Sequence, residues 1–213
     1  KKIPSMMQKQ KDILIGLIKN GASYSNSKGS TGIRSYSQSR GFPLTEFLNL
    51  YGSQQDDVSI INPDAEMSEE EQIVKAIDER LAGKLENRPE FIGVDVSPTE
   101  FDQIEDTKAV YLLNFVTQYV NKNYPGVTVT TVNHGTASKP TKNYGVPYSN
   151  LAGEADPNLT VWVHSLMFYD LERPAPVYGN ENFNWLYDFM VEQQDKRKLW
   201  HFPEAAWWLT FDI

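Results

Sequence analysis

The stretch FIGVDV, Phe91 to Val96, decides how the rest of the chain is read. It is short, rich in β-branched and aromatic residues, and bounded by Pro89 and Pro98, which is the signature of a strand. Downstream, Val110, Leu113, Val116 and Val120 recur at helical spacing and predict a helix over 107–123, ended by the Tyr124-Pro125-Gly126 breaker. VTVTTVN, Val127 to Asn133, then reads as a second strand. Strand, helix and strand in that order form a parallel unit, because two parallel neighbours need a long crossover.

The same alternation extends in both directions. Upstream, DVSIIN (Asp57 to Asn62) reads as a strand ended by Pro63. Ser68 and Glu71 then form a capping box ahead of Ile73, Val74, Ile77 and Leu81, so a helix is expected to run toward Gly83. Downstream come a loop rich in Gly, Ser, Lys and Pro over 134–158, and the strand LTVWVH, Leu159 to His164. A helix over 181–194 with Phe183, Leu186, Phe189 and Met190, and a last strand opening at KLWHF, complete the series. The period is roughly 35 residues, as for strands joined by helical crossovers.

Two architectures repeat in this way, an open doubly wound sheet and a (β/α)8 barrel. No G-x-G-x-x-G or Walker pattern follows any strand. The expected fold is therefore α/β of the (β/α)8 TIM-barrel type. A whole barrel takes roughly 250 residues, so only its central and C-terminal part is expected here, in residues 57–213. Residues 1–56 are left as a segment in which DILIGLI is either a buried strand or a helix end, followed by a Gly/Ser-rich loop. KKIPSMMQ has no initiator Met, and LTFDI stops inside an apolar run, so the remainder of a longer polypeptide is expected.

With 213 residues, 40% hydrophobic and 12% aromatic, the chain can bury a real core. A net charge of −8 without a Lys/Arg run argues against nucleic acid and anionic lipid as partners. The absence of cysteine removes disulfides, thiolate metal sites and a thiol nucleophile. ILIGLI, Ile13 to Ile18, is too short to span a bilayer, so no transmembrane segment is expected.

A parallel barrel carries its site at the carboxyl ends of the strands. Those ends hold Asp95 with Glu100 and Asp102, Asn133 with His134, His164 with Asp170 and Glu172, and His201 with Glu204. Trp200, Trp207, Trp208, Tyr144, Tyr148 and Tyr169 lie nearby in sequence. Aromatic platforms beside carboxylates and imidazoles suit a saccharide, whose C–H faces stack on rings while its hydroxyls need polar partners. Glycoside hydrolysis needs two carboxyls. Glu204, among tryptophans that would raise its pKa, is read as the acid, and Asp95 or Glu100 as its partner. Asn133, His134, His164 and His201, with Trp200, Trp207, Trp208 and Tyr169, are read as substrate-binding. The structural alternative is that the three histidines only cap strand ends, where residues are generically polar. A metal site is not expected, since the histidines come from separate strands and no H-E-x-x-H pair occurs.

In order, DVSIINPDAEMSEEEQIVKAIDERL, FIGVDVSPTEFD, LLNFVTQYVNKNYPGVTVTTVNHGT and DPNLTVWVHS resemble the central part of a bacterial domain of unknown function. That family is grouped with α-glucuronidase-like and hexosaminidase-like glycoside hydrolase barrels. The resemblance covers Asp57 to Asp212 and implies a (β/α)8 barrel, secretion to an extracytoplasmic site, a complex glycan as partner, and no cofactor. The family typically follows its FIGVDVSPTEFD-like strand with an Asn-Asp pair and a Cys-rich turn; Thr99-Glu100 stand there in this chain. The alternatives are a non-catalytic glycan-binding or adhesin barrel, and a metal-assisted hydrolase in which His134, His164 and His201 converge.

Overall fold

The computed structural model describes residues 39, 44–52, 59–82, 89–97, 103–134, 139–165, 182 and 184–203. Five strands, β1 (Thr45–Asn49), β2 (Phe91–Asp95), β3 (Thr128–His134), β4 (Thr160–Ser165) and β5 (Leu199–Pro203), form one sheet. All neighbours are parallel, and their order in the sheet is their order in the chain. The α/β class and the parallel sheet expected from the sequence are both present.

The helix α1 (Glu69–Leu81) joins β1 to β2 and begins where the capping box places it. Ser68 Oγ accepts from Glu71 N at 3.2 Å, and Glu71 Oε2 accepts from Ser68 N at 2.8 Å. Three glutamates in its first turn and Arg80 in its last complement the helix dipole. The helix α2 (Asp106–Asn123) joins β2 to β3 and buries all four residues expected on its inner face. Gly126, at φ 92°, supplies the left-handed turn that leads into β3. A 3-10 helix (Tyr148–Glu154) lies between β3 and β4, inside the stretch read from sequence as loop, and α3 (Asn184–Gln193) lies between β4 and β5.

Parallel crossovers are right-handed, so a sheet in sequential order receives its helices on one face. The buried core shows which face: Leu48, Ile92, Val94, Val129, Val161 and Val163 cluster with Ile73, Ile77, Leu112 and Val116 of the helices. These strand residues alternate with a second row. Phe47 pairs with Gly93, Gly93 with Thr130, Thr130 with Thr160, and Trp162 with Trp200. On this second face Phe47 of β1 meets Trp162 of β4 edge-on at 6.2 Å, and Phe91 of β2 meets Trp200 of β5 at 5.1 Å. Each pair is three strands apart, about 14 Å in a flat sheet whose side chains stand upright. Contact requires the sheet to curl with this second face concave.

One expectation needs correction. DVSIIN is not a strand over its described part: Ser59–Asn62 leaves the end of β1 after two backbone bonds, Ile60 N to Asn49 O and Ile61 N to Leu50 O. Ile61 is buried, so the β-branched run anchors the turn toward α1 without extending the ladder. Among the described residues the first strand is TEFLN, inside the 1–56 segment for which a barrel strand was one of the expectations. DILIGLI lies outside the described residues. Among the described residues, no helix is long and apolar enough to cross a membrane.

Candidate functional site

The side chains of a strand alternate between faces, so residues two apart share one. Phe91, Gly93 and Asp95 therefore fall on the concave face of β2, Val132 and His134 on that of β3, and Trp162 and His164 on that of β4. This row brings Asp95, His134 and His164 to the carboxyl end of the concave face. Trp200, paired with Trp162, lies lower on the same face, its ring stacked on that of Trp162 at 5.7 Å and 22°.

His134 and His164 are paired in register, with ring centroids 4.5 Å apart and planes at 53°. Burial pushes the His164 imidazole down to about 4, so it is neutral at physiological pH. It can take part in neutral hydrogen bonds and carries no charge to a ligand. Asp95 is different. Its carboxyl remains open to water, yet protein surrounds it closely enough that burial holds it above the usual carboxylate range, against the opposing effect of the Ser97 N–H. Ser97 N donates to Asp95 Oδ1 at 3.1 Å, and Ser97 Oγ meets Tyr148 Oη at 3.3 Å.

Asn133 and His201 do not join this group. Asn133 faces the helix side, fully buried, and donates through Nδ2 to Asn150 Oδ1 at 3.0 Å, which ties the 3-10 helix to β3. His201 pairs with Val163, whose side chain belongs to the helix-covered face, and it is exposed. The three histidines therefore do not converge, and among the described residues no group of three His, Asp or Glu could hold a metal ion. Glu100, Glu204, Trp207, Trp208 and Tyr169 lie outside the described residues, as do Asp102, Asp170 and Glu172.

Sequence reasoning set every polar strand-end residue on one face. The alternation rule was enough to separate Asn133 from its neighbour His134. It also missed the roles of Ser97 and Tyr148, which stand 51 positions apart and meet only in the fold. A groove of about 530 Å³ runs along α1 from Met67 to Glu79, away from the strand ends.

Comparison of the chain with family models, with characterised proteins and with solved structures finds no match.

Proposed function

We propose that this sheet is part of a (β/α)8 barrel of glycoside-hydrolase type whose site lies at the carboxyl ends of its strands, the reading that the family resemblance also implies. The observation that carries it is the sequential parallel order combined with a concave face on which Asp95, His134 and His164 crown a layer of rings. Open doubly wound sheets reverse strand order at a switch point, whereas a barrel keeps chain order all round.

In this reading Asp95 is the base that partners the acid, and its raised proton affinity fits that work. The neutral His164 and its neighbour His134 hold sugar hydroxyls, and Trp200 supplies a face for the pyranose ring. The reaction needs a second carboxyl about 5–9.5 Å away; Glu204, as the acid, and Glu100 are the residues that the sequence offers for it. A complex glycan met outside the cytoplasm is the corresponding substrate.

One observation favours a second reading, a glycan-binding barrel without catalysis: Asp95 is the only carboxylate among the concave-face residues of the five described strands. A panel of aryl glycosides and glycan arrays separates the two. Hydrolysis that disappears in Asp95→Asn while binding persists supports the enzyme. Binding without turnover in the unmodified chain supports the binding module, and neither binding nor turnover refutes both.

A further inference from the structure

Three consecutive side chains of the β3–β4 connection dock on three different groups near the strand ends. Ser149 Oγ donates to the His134 carbonyl. Asn150 Oδ1 accepts from Asn133 Nδ2, and Asn150 Nδ2 reaches the Trp185 carbonyl at 3.5 Å. Tyr148 meets Ser97. Farther back, Asn143 N donates to Asp106 Oδ2 at 2.8 Å, and Thr141 N and Oγ1 both bond the Val146 carbonyl. The connection is thus pinned to the start of α2, to its own turn and to β3. Tyr148 is carried on a fixed support.

Ser97 is the junction between that support and the site. Its backbone N–H holds Asp95 Oδ1, and its hydroxyl meets the phenol of Tyr148. Burial holds the phenol above its ordinary value, so it stays neutral. We propose that Tyr148 is a positioning residue for Asp95: through Ser97 it fixes the orientation of the carboxylate. The inference rests on the proposed site, because that reading gives Asp95 its acid–base role, but its test needs no substrate. Among the described residues, Asn49 of β1 is paired in register with Asp95, and His134 and His164 share its face on β3 and β4.

The experiment is a carbon-13 NMR titration of the Asp95 carboxyl in the full 213-residue chain, assigned by its loss in Asp95→Asn. In Tyr148→Leu the link to Ser97 is lost with the ring, the released carboxyl turns further toward water, and its proton affinity falls toward the ordinary aspartate value. In Tyr148→Phe the ring remains, but the Ser97 link is cut. The Asp95 side chain then averages over rotamers in its three-bond couplings. A Tyr148→Leu protein with a native spectrum and an unmoved Asp95 titration, or a single unchanged rotamer in Tyr148→Phe, overturns the positioning. Should Tyr148→Leu lose its native spectrum, the isosteric Tyr148→Phe decides the proposal alone. Failure of every glycoside to bind would remove the proposed function and leave these NMR results standing.

Discussion

Replacing Gly93 by alanine tests the concave face directly. A Cβ at Gly93 would sit 2.5 Å from Phe47 Cε1 and 2.6 Å from Cδ1, where carbon atoms prefer about 3.5–4.0 Å. The ring must therefore retreat by about 1 Å. It cannot do so freely, because its edge meets Trp162, which is itself stacked on Trp200. Overpacking of this kind costs about 1–3 kcal/mol. Gly93 does not have the positive φ of Gly52, Gly126 and Gly145, so alanine brings no backbone strain to confuse the result. With the ring removed in Phe47→Ala, the same Gly93→Ala change becomes neutral or stabilises by up to about 1 kcal/mol through the unfolded chain. Urea unfolding of both single variants and the double variant gives the coupling. Additive losses would mean that Phe47 does not lie over Gly93, and the argument for a curled sheet would lose its first contact.

Other expectations follow from single contacts. The buried Arg197 guanidinium donates to the carbonyls of Gly153, Ala155 and Asp156 and to Gln193 Oε1, capping the 3-10 helix. Arg197→Ala should cost about 3 kcal/mol by urea unfolding, and Lys should not restore it, since an ammonium cannot span that fork of acceptors. Ser68→Ala breaks the capping box and should cost about 1 kcal/mol by the same measurement. His164 has a folded value of about 4 against 6.5 unfolded, so the unfolded chain takes its proton first as pH falls. Its contribution of about 3 kcal/mol is complete above pH 6.5, declines down to about pH 4 and is then gone. His164→Gln should flatten the stability profile in that window. Asp95 has the opposite sign: its raised carboxyl stabilises at low pH and loses that contribution as pH rises through its folded value.

The helices were legible because their signals are local. Ser68 with Glu71, and Val110, Leu113, Val116 and Val120, each state a helix within a few turns, and the fold uses them as written. Strands β2 to β4 were legible as β-branched runs for the same reason, and β5 as the aromatic run KLWHF. TEFLN was not, because Glu46 and Asn49 interrupt its apolar character, and parallel pairing with Phe91–Asp95 rather than composition makes it a strand. DVSIIN has the composition of a strand, yet its described part, Ser59–Asn62, makes only two backbone bonds to the end of β1 and turns toward α1. The site was half legible: Asp95, His134 and His164 could be picked out as strand-end polar residues. Which face each one occupies depends on parity, and the Ser97–Tyr148 meeting depends on a fold that no short window contains.

That parity binds the site to the packing. On β2 the order is Phe91, Gly93, Asp95; on β3, Val132, His134; on β4, Trp162, His164, each row running from a packing residue to a chemical one at a spacing of two. The ring of Phe47 fits over Gly93 because a large residue on one strand faces a small one on the next, as the narrowing interior of a curled sheet demands. A slip of one residue along β4 would put Val161 and Val163 in the concavity and send Trp162 and His164 into the helix layer, and a slip along β2 would take Asp95 off the concave face. Selection for a packed concave face is therefore also selection for where these polar groups stand, and a change that spoils the ring layer should disturb the Asp95 titration even though it touches no polar atom. Phe47→Ala provides that case: if the Asp95 carboxyl titrates in it as in the unmodified chain, the ring layer and the polar crown are independent, and the site does not depend on the curl.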